Sequence, residues 1–130
     1  MKALLPPGWP RPQGYSNGIS ATGRMIFTAG VVGWDSQEFF PSHRLDGQFA
    51  QALKNILAIL KEDGAGPEHI VRLTVYVTDI QEYLSQRDEL GPIWKSVRGA
   101  NYPAMALVQV TRLVETAAKV ENEATAVVPE

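Results

Sequence analysis

The sequence contains no cysteine and only two histidines in 130 residues. The lack of cysteine excludes disulfides, thiolate nucleophiles and cysteine metal sites together. The histidines, His43 and His69, are far apart and lack the HxH or HExxH spacing of metal ligands. No metal site is therefore predicted, and an oxidising compartment is not required.

Long apolar runs and basic clusters are also missing. Nowhere do eighteen apolar residues follow one another, and the N-terminal apolar run is too short for a signal peptide, so we expect a cytoplasmic protein without a membrane segment. The net charge of −2 comes from scattered charges, which argues against nucleic acid as a partner.

Motifs for common cofactors and nucleophiles are absent as well. The sequence has no GxSxG elbow, no P-loop and no GxGxxG, so no cofactor is expected. Any catalysis must then use carboxylates, arginines, tyrosines or backbone donors.

What is present fits one domain over residues 1–130, of which 45% are apolar. Residues 1–13 carry four prolines and predict an extended arm on the surface, which we interpret as a lead-in rather than a site. Hydrophobic periodicity then predicts five strands and two helices in the order ββαβαββ. The strands fall at about 15–19, 24–29, 70–78, 104–110 and 119–128, the first two forming a hairpin.

The two helices have recognisable ends. The first runs from about Asp46, as cap, to Asp63, with Gly64 in the left-handed turn that ends it. The second opens on a capping box at 79–82, is kinked or divided at 91–92 by Gly-Pro, and stops at Gly99. Both helices are expected on one face of the sheet, in an α+β fold.

The strand AMALVQV is apolar on both sides, with Met105 and Leu107 on one and alanine and valines on the other. Two helices cannot cover both faces of a sheet. We therefore predict that a second copy of the chain covers the remaining face.

The segment VENEATAV holds the one cluster of polar residues that is suited to acid-base catalysis. Glu121 and Glu123 share one face of the predicted strand. One interpretation is a solvated edge strand; the other is that one glutamate points into a partly dry pocket, where its raised pKa lets it deliver a proton. The pattern does not decide which glutamate that is.

Six segments in order resemble the Rid/YjgF family: GYSNGI, IFTAGVVG, QALKNILAIL, VRLTVYVTDIQEY, YPAMALVQVTRL and VENEATAV. The resemblance implies a chorismate-mutase-like α+β fold, a barrel-like homotrimer and a small-molecule site at each subunit interface. It also implies hydrolysis of a reactive enamine or imine to a carbonyl compound and ammonia.

The resemblance also assigns roles by position. The family's last-strand glutamate, which positions water or moves protons, falls on Glu121, whereas the arginine that grips the substrate carboxylate falls on Met105. The other pocket positions fall on Tyr15, Ala29, Gly30 and Leu107, and a pocket asparagine aligns with Arg87. Ala29 and Leu107 replace polar or thiol residues, so a more apolar pocket is expected.

Loss of the family arginine leaves three hypotheses. Arg87 binds an acidic substrate in a shifted pose; or the pocket takes a larger or less acidic imine, with Met105 as adaptable lining. Alternatively, the trimer is not catalytic and binds a small metabolite or a protein partner.

Overall fold

The computed structural model describes all 130 residues, as a mixed sheet with three helices. The α+β fold is therefore confirmed, with the second predicted helix divided into two. The strands are β1 Lys2–Ala3, β2 Ile19–Ser20, β3 Arg24–Phe27, β4 Val31–Val32, β5 Ile70–Val77, β6 Ala104–Gln109 and β7 Val120–Val128. The helices are α1 Leu45–Lys61, α2 Ile80–Ser85 and α3 Arg87–Arg98, with a 3-10 turn at Pro67–His69.

The main sheet has five strands in the order β3-β7-β5-β6, with β4 also paired to β7. All its pairs are antiparallel except β5 with β6, which run parallel because α2 and α3 carry the chain back between them. The predicted hairpin of the first two strands is wrong. β2 pairs with β1 in the N-terminal arm, and β3 pairs with β7.

All three helices lie on one face of this sheet and enclose the main core. The buried members come from α1, α3 and alternate positions of β5 and β7, together with Val31 of β4 and Ala65. One position of β5 departs from the alternation: the register shifts between Ile70 and Arg72, which leaves Val71 only half-buried and puts Ile70 in the core.

Helix α1 begins one residue before the predicted cap. Arg44 occupies the cap position without a capping side chain, and Asp46 lies in the first turn. The guanidinium of Arg44 donates two hydrogen bonds of 3.1 Å to the Asp46 carboxylate, and these lower the pKa of Asp46. Gly64 has a φ of 76°, as the predicted left-handed turn requires.

The second predicted helix is divided at Gln86, not at the Gly-Pro pair, and Pro92 lies within α3. Asp79 caps α2 as predicted, accepting from the backbone N–H groups of residues 81 and 82. The Glu82 carboxylate does not complete the capping box, because it binds Lys119 Nζ at 2.8 and 3.0 Å. Gly99 ends α3 with a φ of 60°.

The other face of the sheet, which we call the open sheet face, is only partly covered. At one end, Trp34 and Phe40 pack over a small cluster of Val32, Leu113 and Ala118. Elsewhere large apolar side chains are exposed, including Phe27 at 67% and Met25 at 57%.

Two amide side chains are buried in the core, and they differ in whether their polar atoms have hydrogen-bond partners. Gln48 is fully satisfied: its Nε2 donates to two backbone carbonyls at 3.1 and 2.9 Å, and its Oε1 accepts from Lys119 N at 2.7 Å. Asn122 is also wholly buried, but neither its Nδ2 nor its Oδ1 has a partner. A buried amide without hydrogen bonds is destabilising.

Asn122→Leu is therefore expected to raise the free energy of unfolding by about 1–3 kcal/mol, the cost of an unsatisfied buried group. Leucine has the same branching and the same number of heavy atoms as asparagine. Urea denaturation at a fixed protein concentration measures the change. The matched control, Gln48→Met, is expected to lower stability; if both variants lower it, Asn122 has a partner that stabilises the native state.

Candidate functional site

A cavity of about 310 Å³ lies between α3 and the edge strand β6. We call it the α3 cavity. Seven of its twelve lining residues are hydrophobic. The lining residues are Gln13, Gly14, Phe49, Val75, Tyr83, Arg87, Leu90, Gly91, Trp94, Arg98, Met105 and Leu107.

Strand register brings Met105 and Leu107 into this cavity. Met105 is in register with Leu73 and Leu107 with Val75, and both β5 residues are buried beneath the helices. Met105 and Leu107 therefore face the helix layer, half-buried, and pack against the main core. Their thioether and isobutyl groups make this wall of the cavity apolar, without a charged donor.

One stripe of α3 supplies the opposite wall, which includes two arginines. Arg87, Gly91, Trp94 and Arg98 recur at helical spacing and all line the cavity. Arg87 was singled out from the sequence, but Arg98 was not. The spacing of Arg98 from Trp94, together with the stop at Gly99, was the available signal.

The N-terminal arm closes one end of the α3 cavity. Trp94 Nε1 donates to the Gly14 carbonyl at 2.8 Å, which holds Gln13 and Gly14 against α3. The end of the arm therefore lines the cavity in addition to lying on the surface. Tyr15 does not join this wall; it lines a separate cavity of about 380 Å³ beneath the arm.

Glu121 lies on the open sheet face, away from the α3 cavity. Its neighbours Val120 and Asn122 point into the core, so Glu121 points to the other side, in register with Tyr76. Its carboxylate lies against Gly30: a Cβ at residue 30 would come within 2.6 Å of Glu121 Oε2. A side chain at residue 30 would therefore require the Glu121 carboxylate to move.

Thr28 fixes the backbone beside this carboxylate. Its backbone N–H donates to the Ala124 carbonyl at 2.9 Å, and its Oγ1 accepts from Ala124 N at 3.0 Å. These bonds hold the end of β3 to β7. Ala29 follows at an exposed position and leads directly into Gly30.

The two candidate glutamates are both half-buried on the open sheet face but have different partners. Tyr76 Oη donates to Glu123 Oε1 at 2.7 Å, and this bond raises the pKa of Tyr76. Glu121 takes part in none of the four ion pairs of the chain. Of the two carboxylates, Glu121 is the one without a bound hydroxyl.

The candidate residues thus form two groups on opposite faces of one sheet. Arg87, Met105 and Leu107 line the α3 cavity, whereas Gly30 and Glu121 lie on the open sheet face. Strands β6 and β7 are separated by β5, which is about 10 Å of sheet. Within one chain, Met105 and Glu121 cannot contact the same small molecule.

Two further observations concern metal binding and membrane-spanning helices. No three His, Asp or Glu side chains converge in a geometry that would hold a metal ion. None of the three helices is sufficiently long and apolar to cross a membrane.

The arrangement of three helices on this mixed sheet defines an α+β fold of the YjgF type. The Rid family protein YyfB of Yersinia pestis has the same fold, with a TM-score of 0.85 at 26% identity over 98% of both chains. The family model described as Endoribonuclease L-PSP matches residues 10–128. The chain therefore belongs to the Rid/YjgF family, as its sequence segments indicate.

Similar proteins in this family carry two kinds of name. A RutC family protein of Synechocystis is 32% identical over 99% of this chain and 98% of its own length. The human 2-iminobutanoate/2-iminopropanoate deaminase is 32% identical over 80% of this chain and 73% of its own. The family thus includes imine deaminases.

Proposed function

We propose that this protein hydrolyses a reactive imine or enamine of a small acid to the carbonyl compound and ammonia. The observation that carries the proposal is the Glu121 carboxylate, which packs against Gly30 without an ion pair at the family's glutamate position. The human relative named an imine deaminase supports the same reaction class.

The reaction needs a proton acceptor and donor at a positioned water. The water oxygen adds to the carbon of the protonated imine, and Glu121 accepts the proton that the water loses. The protonated carboxyl then delivers that proton to the amino nitrogen of the carbinolamine. The C–N bond breaks as ammonia leaves, and the remaining hydroxyl proton passes to the Glu121 carboxylate as the carbonyl forms. No redox partner is required.

The complete site would form between copies of the chain. Because Met105 and Glu121 lie on opposite faces, the α3 cavity of one subunit must meet the open sheet face of another. Exposed apolar side chains on or beside that face, such as Phe27, favour its burial in a homotrimer.

Substrate recognition would differ from that of relatives with arginine at position 105. Methionine offers no hydrogen bonds to a carboxylate, and the α3 cavity is mainly apolar. An aliphatic or aromatic substrate side chain therefore fits better than a polar one.

The direct test generates imines from several amino acids with an amino-acid oxidase and follows their decay with and without the protein. Faster decay with the protein, strongest for imines of large apolar amino acids, supports the proposal. Decay at the rate of the protein-free reaction for every imine contradicts it.

A binding protein without catalysis is the alternative that Met105 favours, since each missing charged hydrogen bond costs about 1.5–3 kcal/mol. In that case the trimer would bind a small metabolite through the α3 cavity. Calorimetry would then show saturable binding of a 2-oxo acid with no acceleration of imine decay.

Arg87→Gln is expected to raise KM about threefold or less and to leave kcat unchanged. Arg87 is exposed and forms no ion pair, so its attraction for an anionic substrate is screened by water. Steady-state kinetics at low and high salt measure the effect, which should vanish at high salt. A rise in KM of tenfold or more would instead make Arg87 the main anchor.

A further inference from the structure

We propose that Arg98 is the carboxylate anchor of the α3 cavity and replaces the arginine absent at position 105. Arg98 is the last residue of α3 and lines the cavity together with Met105 and Leu107. The inference depends on the proposed function in one respect only, which is the assumption that the substrate is an acid. It adds a specificity-determining residue that the family alignment does not assign.

The guanidinium of Arg98 is held in place before any ligand arrives. Its Cζ lies 4.3 Å from the centre of the Tyr102 ring, and Nη1 donates to the Gly99 carbonyl at 2.7 Å. Stacking on the ring fixes the plane of the guanidinium and leaves Nη2 without a partner. A pre-positioned fork loses little conformational entropy on binding.

One edge of this fork has no partner. Arg98 Nε is buried and donates to no acceptor in the protein. The four ion pairs of the chain do not include Arg98, so its charge has no neighbouring carboxylate. A buried charged donor without an acceptor is unfavourable. A ligand carboxylate that accepts from Nη2 would give this charge a partner.

Arg87 is less suited to the same role. It lies eleven residues before Arg98 on one helix, which places the two Cα atoms about 16 Å apart. Arg87 is exposed and has neither a stacking ring nor a backbone acceptor. The fixed and partly buried guanidinium of Arg98 is therefore the better anchor.

The cavity also restricts the ligand class. A volume of about 310 Å³ holds a small metabolite, and its apolar wall includes Leu90, Trp94 and Leu107. A monocarboxylate with an aliphatic or aromatic side chain, such as a branched or aromatic 2-imino acid or its 2-oxo product, fits both the anchor and the wall.

The test measures, by calorimetry, how tightly the full-length protein binds a stable 2-oxo acid. The two probes are 4-methyl-2-oxopentanoate and its uncharged amide. Arg98→Gln and Arg98→Lys are expected to weaken binding of the carboxylate about 10- to 100-fold. Arg98→Lys keeps the charge and the stem but loses the fork. Binding of the amide should change less than twofold in both variants.

The matched control is Arg112→Lys, which changes an exposed arginine that does not line the α3 cavity. It should leave both affinities unchanged. Carboxylate affinity that is unaffected in both Arg98 variants, equal loss for carboxylate and amide, or no binding by the wild type would overturn the proposal. Arg98-dependent carboxylate binding without imine hydrolysis would support the anchor and refute only the deaminase activity.

Discussion

Glu121→Gln is expected to lower kcat for imine hydrolysis by about 10²–10⁴-fold, the usual contribution of a general acid-base group. Glutamine keeps the size of the side chain and fits against Gly30, but it cannot accept a proton from water. Because Glu121 does not bind the substrate carboxylate in this scheme, KM should change less than threefold. Stopped-flow decay of an enzymatically generated imine gives both constants.

The matched control for this effect is Glu123→Gln. Glu123 lies on the same face two residues later and accepts the hydroxyl of Tyr76, which a glutamine oxygen can also accept. Its kcat should stay within about threefold of the wild type, well below a typical general acid-base effect. If Glu123→Gln loses activity and Glu121→Gln keeps it, the roles of the two carboxylates are exchanged.

Local patterns were sufficient to predict most of the fold. The alternation in β5 and the apolar stripe of α1 each depend on which side chains share a face, a property that sequence spacing determines directly. Strand pairing was harder to predict from the sequence. The pairing of β2 with β1 instead of β3 depends on contacts between distant segments, and short strands near a proline-rich arm carry weak signals.

Side-chain partners explain the remaining errors. Glu82 has the spacing of a capping box, but the nearby ammonium of Lys119 is a stronger partner than a backbone N–H. Pro92 was expected to divide the second helix, yet the break falls at Gln86, whose Oε1 accepts from Asp46 N in α1 at 3.0 Å. A tertiary hydrogen bond of this kind has no signature in local sequence.

The candidate site was predictable only in part, because position in an alignment does not give the face of a sheet. The alternation of β7 puts Glu121 and Glu123 on one side, and the register of β6 puts Met105 and Leu107 on the other. That opposition appears only when β5 is found between the two strands. It turns the predicted subunit interface into a geometric requirement of the proposed reaction.

Equal mixing of a Met105→Glu protein with a Glu121→Gln protein is expected to restore about a quarter of wild-type imine hydrolysis, although each variant alone is inactive. Met105→Glu puts a carboxylate in the α3 cavity, where it repels an acidic substrate and neutralises the guanidinium groups. In the proposed trimer, each site would take its cavity from one subunit and its glutamate from the next. With random assembly, half of the sites have an intact cavity and, independently, half have an intact glutamate. A quarter of the sites therefore have both.

The two proteins are mixed in urea and refolded together, and imine decay is compared with that of the same proteins refolded separately and then combined. Recovery in the first sample but not in the second supports sites shared between subunits. A co-refolded sample that stays as inactive as its components, with trimers present by light scattering, means that each active site lies within one chain. Since Met105 and Glu121 lie on opposite faces of the sheet, that result would remove one of the two from the site.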